Sequence, residues 1–517
     1  MERIEFSGQT VIRGHVIDSL RSLPEKSVHC IVTSPPFFGL RRYEVCVCGS
    51  DSKPDPNCSW CEGTGMIKGM EPQLWGGDPS CAHEWVNTPP RRNRAADDAS
   101  GAISKGNSGA SYDAEGGKLC SLCGGWLGQL GLEPTHLMYI DHMVLVGREL
   151  YRVLRDDGIF WMEIGDSYVT HQSGVIGEAR WRTSGLRNQT HIGNEQAGSI
   201  DKRILGLKEK NMALIPQRLA IAFQDEGWVV RSIVIWDKMH CLPESVKDRP
   251  TTSHSYILML TKKPRYYYDQ DAVRVPNPRS DETAIAYGNK AEGLIRVRND
   301  VNPYHLMNQN PNGANLKSVW KISLQPYPEA HFATYPMALP ERCILLSTSE
   351  RGACSKCGAP WSRIVAKGEP NLEWQEECGG DENGEYHGQA IKDYEAVGVE
   401  NASDVKRRIL SGMKTKQTLG WRPTCVCYPD PCDRCGKAWI EDRPSCTCYK
   451  PVPCVVLDPF AGSGTTLAAA KKLGRHGVGT ELNPMYVSLI EKRLDEVKIE
   501  VGHDPAQKKL MDFIEAA

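Results

Sequence analysis

Short runs of apolar residues alternate along this 517-residue chain with segments whose apolar residues recur at helical spacing. The runs at 28–32, 159–164, 228–236, 255–261, 454–457 and 477–480 predict strands. Helical spacing over 136–154, 213–226 and 484–497 predicts helices, and a proline near the start of the last one stands at a favoured position. This alternation predicts an α/β fold, a sheet with helices on both faces.

A glycine-rich turn follows the strand predicted at 454–457. Residues 458–466 are Asp-Pro-Phe-Ala-Gly-Ser-Gly-Thr-Thr, and the glycines permit a tight turn into a helix that begins near Thr465. Glu481 ends the next predicted strand, about twenty residues on, where a carboxylate can accept both ribose hydroxyls of an adenosine. The pattern predicts a nucleotide cradle, although one such turn by itself is also typical of a purely structural connection.

A second short motif, 33–37, ends the apolar strand predicted at 28–32. It consists of Thr33, Ser34, Pro35, Pro36 and Phe37. Consecutive prolines mark loops in many proteins, so the motif alone is also consistent with a simple strand terminator.

The two motifs together resemble the beta group of DNA amino-methyltransferases. In that group the catalytic (Ser/Asp/Asn)-Pro-Pro-(Tyr/Phe) motif precedes the S-adenosylmethionine motif, and the target-recognition region lies between them. The order in this chain is the same, and 318–322 followed by 331–336 looks like the remaining cofactor motif. The resemblance implies a Rossmann-like methyltransferase sheet, S-adenosylmethionine as the cofactor and double-stranded DNA as the partner.

The resemblance also implies a role for each motif residue. Ser34 Oγ and the Pro35 carbonyl would accept the two hydrogens of an exocyclic amine, and Phe37 would stack on a base flipped out of the duplex. The catalytic residues would be Ser34, Pro35, Pro36 and Phe37. The cofactor residues would be Thr33, Phe332, Asp458, Phe460, Gly462, Gly464, Thr465 and Glu481, with Asp458 near the methionine amino group and Glu481 on the ribose.

The identity of the target base is left open between two amines. Within the family, serine at position 34 favours cytosine N4, and aspartate there is more usual in adenine N6 enzymes. A serine oxygen is neutral and either amine can donate to it, so adenine N6 is the alternative. Two further hypotheses are a methyltransferase that acts on RNA or on a protein amide, and a non-catalytic zinc-rich DNA-binding protein.

Twenty cysteines predict metal binding rather than disulfides, because the N-terminal residues lack a secretion signal pattern. They form closely spaced pairs, and short spacing lets two ligands from one turn reach the same tetrahedral ion. Sequence proximity groups the predicted ligands as Cys46, Cys48, Cys58 and Cys61; Cys81, His83, Cys120 and Cys123; Cys354, Cys357, Cys425 and Cys427; and Cys432, Cys435, Cys446 and Cys448. Four closed structural zinc sites are expected, whereas any single pair could be redox-active or accidental.

The cysteine pairs lie in two inserts that interrupt the catalytic core. The predicted organisation is core 1–40, cysteine-rich insert 41–131, core 132–275, a variable region 276–316 that is a candidate for target recognition, a cofactor-motif helix region 317–351, a second cysteine-rich insert 352–450, and the cofactor-binding part of the core, 451–517.

Composition agrees with a soluble enzyme: 40% of the residues are hydrophobic and 24% are charged. The chain contains no run of about eighteen apolar residues, which a membrane span would require. We therefore expect a cytoplasmic protein with no membrane partner. The net charge of −2 does not indicate a nucleic-acid binder. DNA contacts would therefore depend on local basic runs such as 91–94 and 406–408, each of which is also typical of a solvated face. The pattern predicts nothing about oligomeric state.

Overall fold

The structure is a computed structural model of the chain. It describes residues 1–39, 57–59, 67, 70, 72–87, 117–170, 200–201, 207–208, 210–239, 241, 244, 246–275, 315–325, 335–366, 417–440, 444, 448 and 450–499. Most of the variable region predicted at 276–316, and both basic runs named above, lie outside these residues.

Seventeen strands are present in the described residues. They are β1 Glu2–Phe6, β2 Gln9–Arg13, β3 Val28–Thr33, β4 Gln73–Trp75, β5 Trp85–Asn87, β6 Lys118–Cys120, β7 Trp126–Gly128, β8 Leu154–Ile164, β9 Val169–Thr170, β10 Ile200–Asp201, β11 Val229–Met239, β12 His254–Thr261, β13 Val319–Ser323, β14 Trp361–Ala366, β15 Gln417–Pro423, β16 Val455–Asp458 and β17 His476–Glu481. The six runs predicted to be strands all lie in or next to strands of the central sheet, with ends that differ by a few residues.

Nine strands form the central sheet in the order β1-β2-β17-β16-β3-β8-β12-β11-β13. Five consecutive members, from β2 to β8, run parallel, whereas β12 is antiparallel to both β8 and β11. Parallel neighbours present their carboxyl ends at the same edge, which is where ligands bind in open α/β sheets. Strands from opposite ends of the sequence, β3 and β16, are neighbours because Val456 pairs with Cys30 and Leu457 with Ile31.

Six α-helices are described alongside the sheet. They are α1 Val16–Arg21, α2 His136–Val153, α3 Ile215–Asp225, α4 Ala338–Ser347, α5 Thr465–Lys472 and α6 Pro484–Glu496. Helix α2 contacts α1 and α3, and α5 contacts α4 and α6, so the helices form two layers. Side chains of Thr135 and Asn483 cap α2 and α6 by accepting backbone N–H bonds. The predicted α/β fold, a Rossmann-like sheet with helices on both faces, is confirmed.

The chain divides into two compact units. The first comprises 1–267, 318–350 and 453–517 and holds the nine-stranded sheet, the six helices and the small sheet β4-β7-β6-β5 of the first cysteine-rich insert. The second comprises 268–317 and 351–452, with a 3₁₀ helix at Gln270–Val273 and the β14–β15 hairpin. In neither unit do the described helices include one that is long and apolar enough to cross a bilayer.

Candidate active site

The two sequence motifs meet at the carboxyl edge of the parallel strands. Thr33 ends β3, Asp458 ends β16, and the Thr33 hydroxyl donates to Asp458 Oδ1 over 2.6 Å. The two residues are 425 positions apart in the sequence. Adjacent parallel strands bring them together, so the catalytic and cofactor motifs form a single site.

Ser34 is paired with a carboxylate from the neighbouring strand. Its hydroxyl donates to Glu163 Oε2 over 2.6 Å, and Glu163, which is 4% exposed, is the second-last residue of β8. A carboxylate can only accept hydrogen bonds, so the serine proton points toward Glu163. The remaining lone pairs of Ser34 Oγ are then free to accept an N–H from a substrate.

The backbone of the catalytic loop, defined here as residues 34–39, is held on several sides. Tyr139 donates its hydroxyl to the Pro36 carbonyl over 2.9 Å, and Ser167 donates to the Phe38 carbonyl over 3.0 Å. The amide of Gly39 donates to the Gly131 carbonyl over 2.7 Å. The carbonyl predicted to hold the amine, that of Pro35, is one residue before the carbonyl that Tyr139 binds. Two proline rings and these bonds together reduce the conformational freedom of the loop.

Phe37, the predicted stacking residue, is partly buried and lies against the backbone of Gly165. A Cβ at Gly165 would lie 2.8 Å from Phe37 Cε2, so a larger residue there would displace the ring. Gly165 directly follows β8, and this close approach requires the absence of a side chain.

The glycine turn has the left-handed backbone that the sequence predicts. Gly462 has φ +51° and Gly464 has φ +80°, a region that other residues rarely adopt. Gly464 is also the N-cap residue of α5, and a Cβ there would lie 3.0 Å from Ile490 Cγ1 on α6. Only glycine satisfies both constraints at this position without strain.

Glu481, the predicted ribose residue, lies beside this turn at the end of β17. Its Oε2 accepts the Gly462 amide over 2.8 Å, and its Oε1 accepts the Asn483 amide over 2.8 Å. Burial raises the pKa of the Glu481 carboxyl to about 7, an effect that the two amide bonds partly offset. Each oxygen keeps a lone pair, which matches the two hydroxyls of a ribose.

Asp458 lies at the centre of a buried hydrogen-bond network. Its Oδ1 accepts from Thr33 and from the Phe460 amide, and its Oδ2 accepts from the Tyr335 hydroxyl over 3.1 Å. Tyr335 also contacts Thr466 Oγ1. Burial raises the pKa of Asp458, and burial beside Asp458 raises that of Tyr335 well above its usual range. Asp458 thus joins the two motifs, and a role toward the methionine amino group stays a prediction.

The structure adds three residues whose individual roles were not predicted from sequence: Glu163, Tyr335, which lies in the cofactor motif predicted at 331–336, and Arg493. Arg493 Nη1 donates to the carbonyl and hydroxyl of Ser463 and to Thr465 Oγ1, at 2.5–3.1 Å, so it ties α6 to the glycine turn. For two of these residues, the sequence contains a feature that could have indicated a special role. Glu163 interrupts an apolar strand run, and Arg493 lies on the apolar face of its helix, three residues after Ile490.

The metal ligands predicted in the first insert come together. The ligand atoms of Cys81, His83, Cys120 and Cys123 all lie within 4.8 Å of one another. The sulfurs of Cys81 and Cys120 are 3.8 Å apart, and Cys123 Sγ is 3.5 Å from His83 Nδ1. A tetrahedral zinc with ordinary bond lengths would hold two sulfurs about 3.8 Å apart and sulfur and nitrogen about 3.5 Å apart. The donor set and its spacing therefore fit zinc.

Two further groups lie in the second unit. The ligand atoms of Cys354, Cys357, Cys425 and Cys427 approach one another within the same 4.8 Å, although the two pairs are far apart in the sequence. Cys432, Cys435 and Cys448 form the other group, and its predicted fourth member, Cys446, lies outside the described residues. Also outside are Cys46, Cys48 and Cys61 of the predicted first site, and the predicted cofactor residue Phe332. Cys58, the remaining member of that site, is partly buried beside Ile67.

The chain is similar to known methyltransferases over most of its length. The model of the N6/N4 family, described as DNA methylase, matches residues 28–354 and 449–492, well over half of the chain. The type II methyltransferase M.Cfr9I of Citrobacter freundii is 29% identical over 347 residues, which are 67% of this chain and 75% of the relative. M.SmaI of Serratia marcescens is 34% identical over 227 residues, 44% of this chain and 64% of the relative.

Similarity to solved structures is low. The PvuII DNA methyltransferase, described as cytosine-N4-specific, is 12% identical with a TM-score of 0.38, over 99% of this chain and 95% of that chain. The family assignment does not depend on it. With both motifs joined in one site and the family model matched across them, the chain belongs to the N6/N4 family of DNA methyltransferases, S-adenosylmethionine-dependent enzymes that methylate an exocyclic amine of a DNA base.

Proposed function

We propose that this enzyme methylates N4 of cytosine in double-stranded DNA, on a base that is flipped out of the helix. The observation that carries the proposal is the Ser34–Glu163 pair at the start of the catalytic loop. A neutral serine hydroxyl, which donates its hydrogen bond to Glu163, stands where family members that methylate adenine N6 more usually have aspartate. Ser34 is therefore the residue on which the choice of base rests.

The chain's own residues would orient the target amine. An amine conjugated to a base ring is planar and a weak nucleophile. Acceptors at Ser34 Oγ and the Pro35 carbonyl would bind its two hydrogens and favour the pyramidal geometry that frees the nitrogen lone pair. The fixed loop backbone would then keep that lone pair in line with the methyl carbon, which is the main requirement of this reaction. Phe37 would stack on the flipped base.

The cofactor would be held by the glycine turn and Glu481. S-adenosylmethionine supplies an electrophilic methyl group on a sulfonium. The two carboxylate oxygens of Glu481 would accept the ribose hydroxyls, and Gly462 and Gly464 leave the backbone of the turn open to close approach. Arg493 would keep the turn in shape from its buried side. Thr33, Phe460 and Thr465 would border the same pocket.

We further infer that the cysteine groups bind structural zinc ions. Four protein ligands close a tetrahedral site, so no coordination position would remain for water or substrate. The group Cys81, His83, Cys120 and Cys123 supports this inference best, because its separations match those of a filled site. Zinc would stabilise the inserts and take no part in methyl transfer.

Analysis of the reaction product tests the choice of base. Duplex DNA is methylated by the purified protein, digested to nucleosides and analysed by mass spectrometry. N4-methylcytosine is the expected product, and the Ser34→Ala protein, which should transfer methyl groups much more slowly, serves as the control. Detection of N6-methyladenine alone would refute the proposal and establish the alternative. Competition experiments with DNA, RNA and protein acceptors distinguish the remaining hypotheses. Only a DNA competitor is expected to reduce the transfer of labelled methyl groups to the DNA substrate.

A further inference from the structure

The first cysteine group and the catalytic loop are connected by an unbroken series of contacts. The group, called here the first metal module, consists of Cys81, His83, Cys120 and Cys123. The catalytic loop is 34–39, as defined above. The connection passes through buried side chains of β4, β7 and α2, all within the first unit.

The series begins in the β6–β7 hairpin. Cys120 is the last residue of β6, and its amide donates to the Gly125 carbonyl over 2.8 Å across the turn that holds Cys123. Trp126 follows directly as the first residue of β7, and it is fully buried. A metal bound to both cysteines would fix this turn, and the position of the indole would follow from the turn.

Two indoles then contact a histidine on α2. The ring of His142 lies 5.7 Å from that of Trp126, nearly parallel at 19°, and 5.6 Å from that of Trp75 on β4. Its Nδ1 is 3.1 Å from Glu133 Oε1, and both side chains are buried. The orientation of the imidazole, and with it the position of Glu133, is therefore set by side chains of the first insert.

Glu133 completes the connection to the loop. Its Oε2 accepts the amide of Gly131 over 2.8 Å, and the Gly131 carbonyl accepts the amide of Gly39 over 2.7 Å. Gly131 has φ +91°, and a Cβ there would lie 2.9 Å from the Phe37 carbonyl oxygen. The backbone of Gly131 packs directly on the backbone of the catalytic loop. A shift of Gly131 would therefore displace the catalytic loop by a similar distance.

We propose that the first metal module is a positioning element for the catalytic loop, with His142 and Glu133 as the positioning residues that connect them. This inference rests on the proposed zinc binding and methyl transfer. Methyl transfer needs in-line geometry, and a displacement of about 1 Å can slow such a step by about a hundredfold. The cofactor turn and Glu481 lie on other strands, so loss of the metal should lower the rate of transfer and leave cofactor affinity unchanged.

The experiment uses the full-length protein, three single variants and the Cys123→Ser, Glu133→Gln double variant. Cys123→Ser removes a metal ligand, and Glu133→Gln weakens the connection without touching the module. Leu122→Ser is the matched control, since Leu122 lies in the same turn but is 58% exposed. Metal content per chain is measured by mass spectrometry, cofactor affinity by calorimetry, and the transfer rate by single-turnover labelling of duplex DNA.

The proposal expects one metal fewer per chain in Cys123→Ser and unchanged metal content in Glu133→Gln. Both variants should transfer methyl groups at least tenfold more slowly, with cofactor Kd within twofold of the wild type, and the double variant should be no slower than the slower single one. Leu122→Ser should match the wild type throughout. Should Cys123→Ser fail to fold and lose cofactor binding, Glu133→Gln decides alone.

A wild-type rate in Glu133→Gln would overturn the inference, as would equal losses of rate and cofactor affinity in that variant. Additive losses in the double variant would also overturn it, because residues on one connection should not act independently. Failure of the proposed function is recognised separately, on the wild-type protein: a chain that binds no metal, or that transfers no methyl group to DNA, would refute that proposal before any variant is compared.

Discussion

Replacing Glu163 by glutamine should slow methyl transfer without weakening cofactor binding. The substitution keeps the shape of the side chain and removes its charge, so the 2.6 Å bond from Ser34 becomes an ordinary hydrogen bond. Glutamine can also donate through its NH₂ group, which would let the Ser34 hydroxyl turn and present its proton to the substrate amine. In that arrangement Ser34 no longer accepts a hydrogen from the amine.

The magnitude follows from the burial and charge of the pair. Hydrogen bonds to charged groups contribute about 1.5–3 kcal/mol, and Glu163 is 4% exposed, so solvent screening is small. If that contribution is lost only in the transition state, the rate falls by about 10- to about 150-fold. Cofactor affinity should stay within about twofold, because in the proposed function Ser34 binds the target amine and not the cofactor.

The assay is single-turnover transfer of a labelled methyl group to duplex DNA at saturating cofactor, with cofactor Kd from calorimetry. Asp157→Asn is the matched control, since Asp157 lies on the same strand at the end away from Ser34 and pairs with Arg155. Glu163→Gln is repeated in the Ser34→Ala background, where it should have little further effect. A rate within threefold of the wild type, or an equal loss in both backgrounds, would refute the reasoning.

Three further outcomes are expected around the cofactor turn. Burial raises the pKa of Glu481 to about 7, and ribose hydroxyls donate to the ionised form of this carboxylate. Cofactor affinity measured by calorimetry should therefore fall as the pH drops below 7, by up to about tenfold per pH unit. Glu481→Gln should abolish this pH dependence. Gly464→Ala places a Cβ 3.0 Å from Ile490 in a left-handed conformation and should cost about 1–3 kcal/mol, visible as a lower Tm and a higher cofactor Kd; an unchanged Tm would contradict the geometry. Arg493→Ala removes three bonds to the turn and should raise the KM for cofactor more than it lowers kcat, with partial recovery in Arg493→Lys; a loss confined to kcat would show that Arg493 does not act on the turn.

Most of the α/β core could be predicted from periodicity. The helix predicted at 136–154 is α2, His136–Val153, and the strand predicted at 28–32 is β3, Val28–Thr33. Apolar patterning is a local property that reports which face of each element is buried, so the sequence is sufficient for it. Strand order could not be predicted in this way, because the pairing of β3 with β16 joins residues more than four hundred positions apart in the sequence.

The site likewise contains residues that could be predicted from the sequence and residues that could not. The glycine turn, Glu481 and Ser34 could be predicted as site residues, because the chemistry proposed for them demands particular residue types at short spacing. Glu163 and Arg493 were not, since each acts on a partner more than twenty-five positions away in the sequence and belongs to no local pattern that specifies its role. Their buried charges were the one available signal, and a buried charge indicates that a partner exists without identifying it.

The sequence by itself therefore predicted which chemistry this protein carries: a cofactor cradle, a Ser-Pro-Pro-Phe motif suited to binding an amine, and sets of metal-spaced cysteines. Only the tertiary structure decided that the two motifs form one site, that Glu163 accepts the hydrogen bond of the Ser34 hydroxyl, and that buried side chains connect the first metal module to the catalytic loop. The physical reason is that residue type and spacing act within a few turns of chain, whereas hydrogen bonds and packing depend on which distant segments the fold brings into contact.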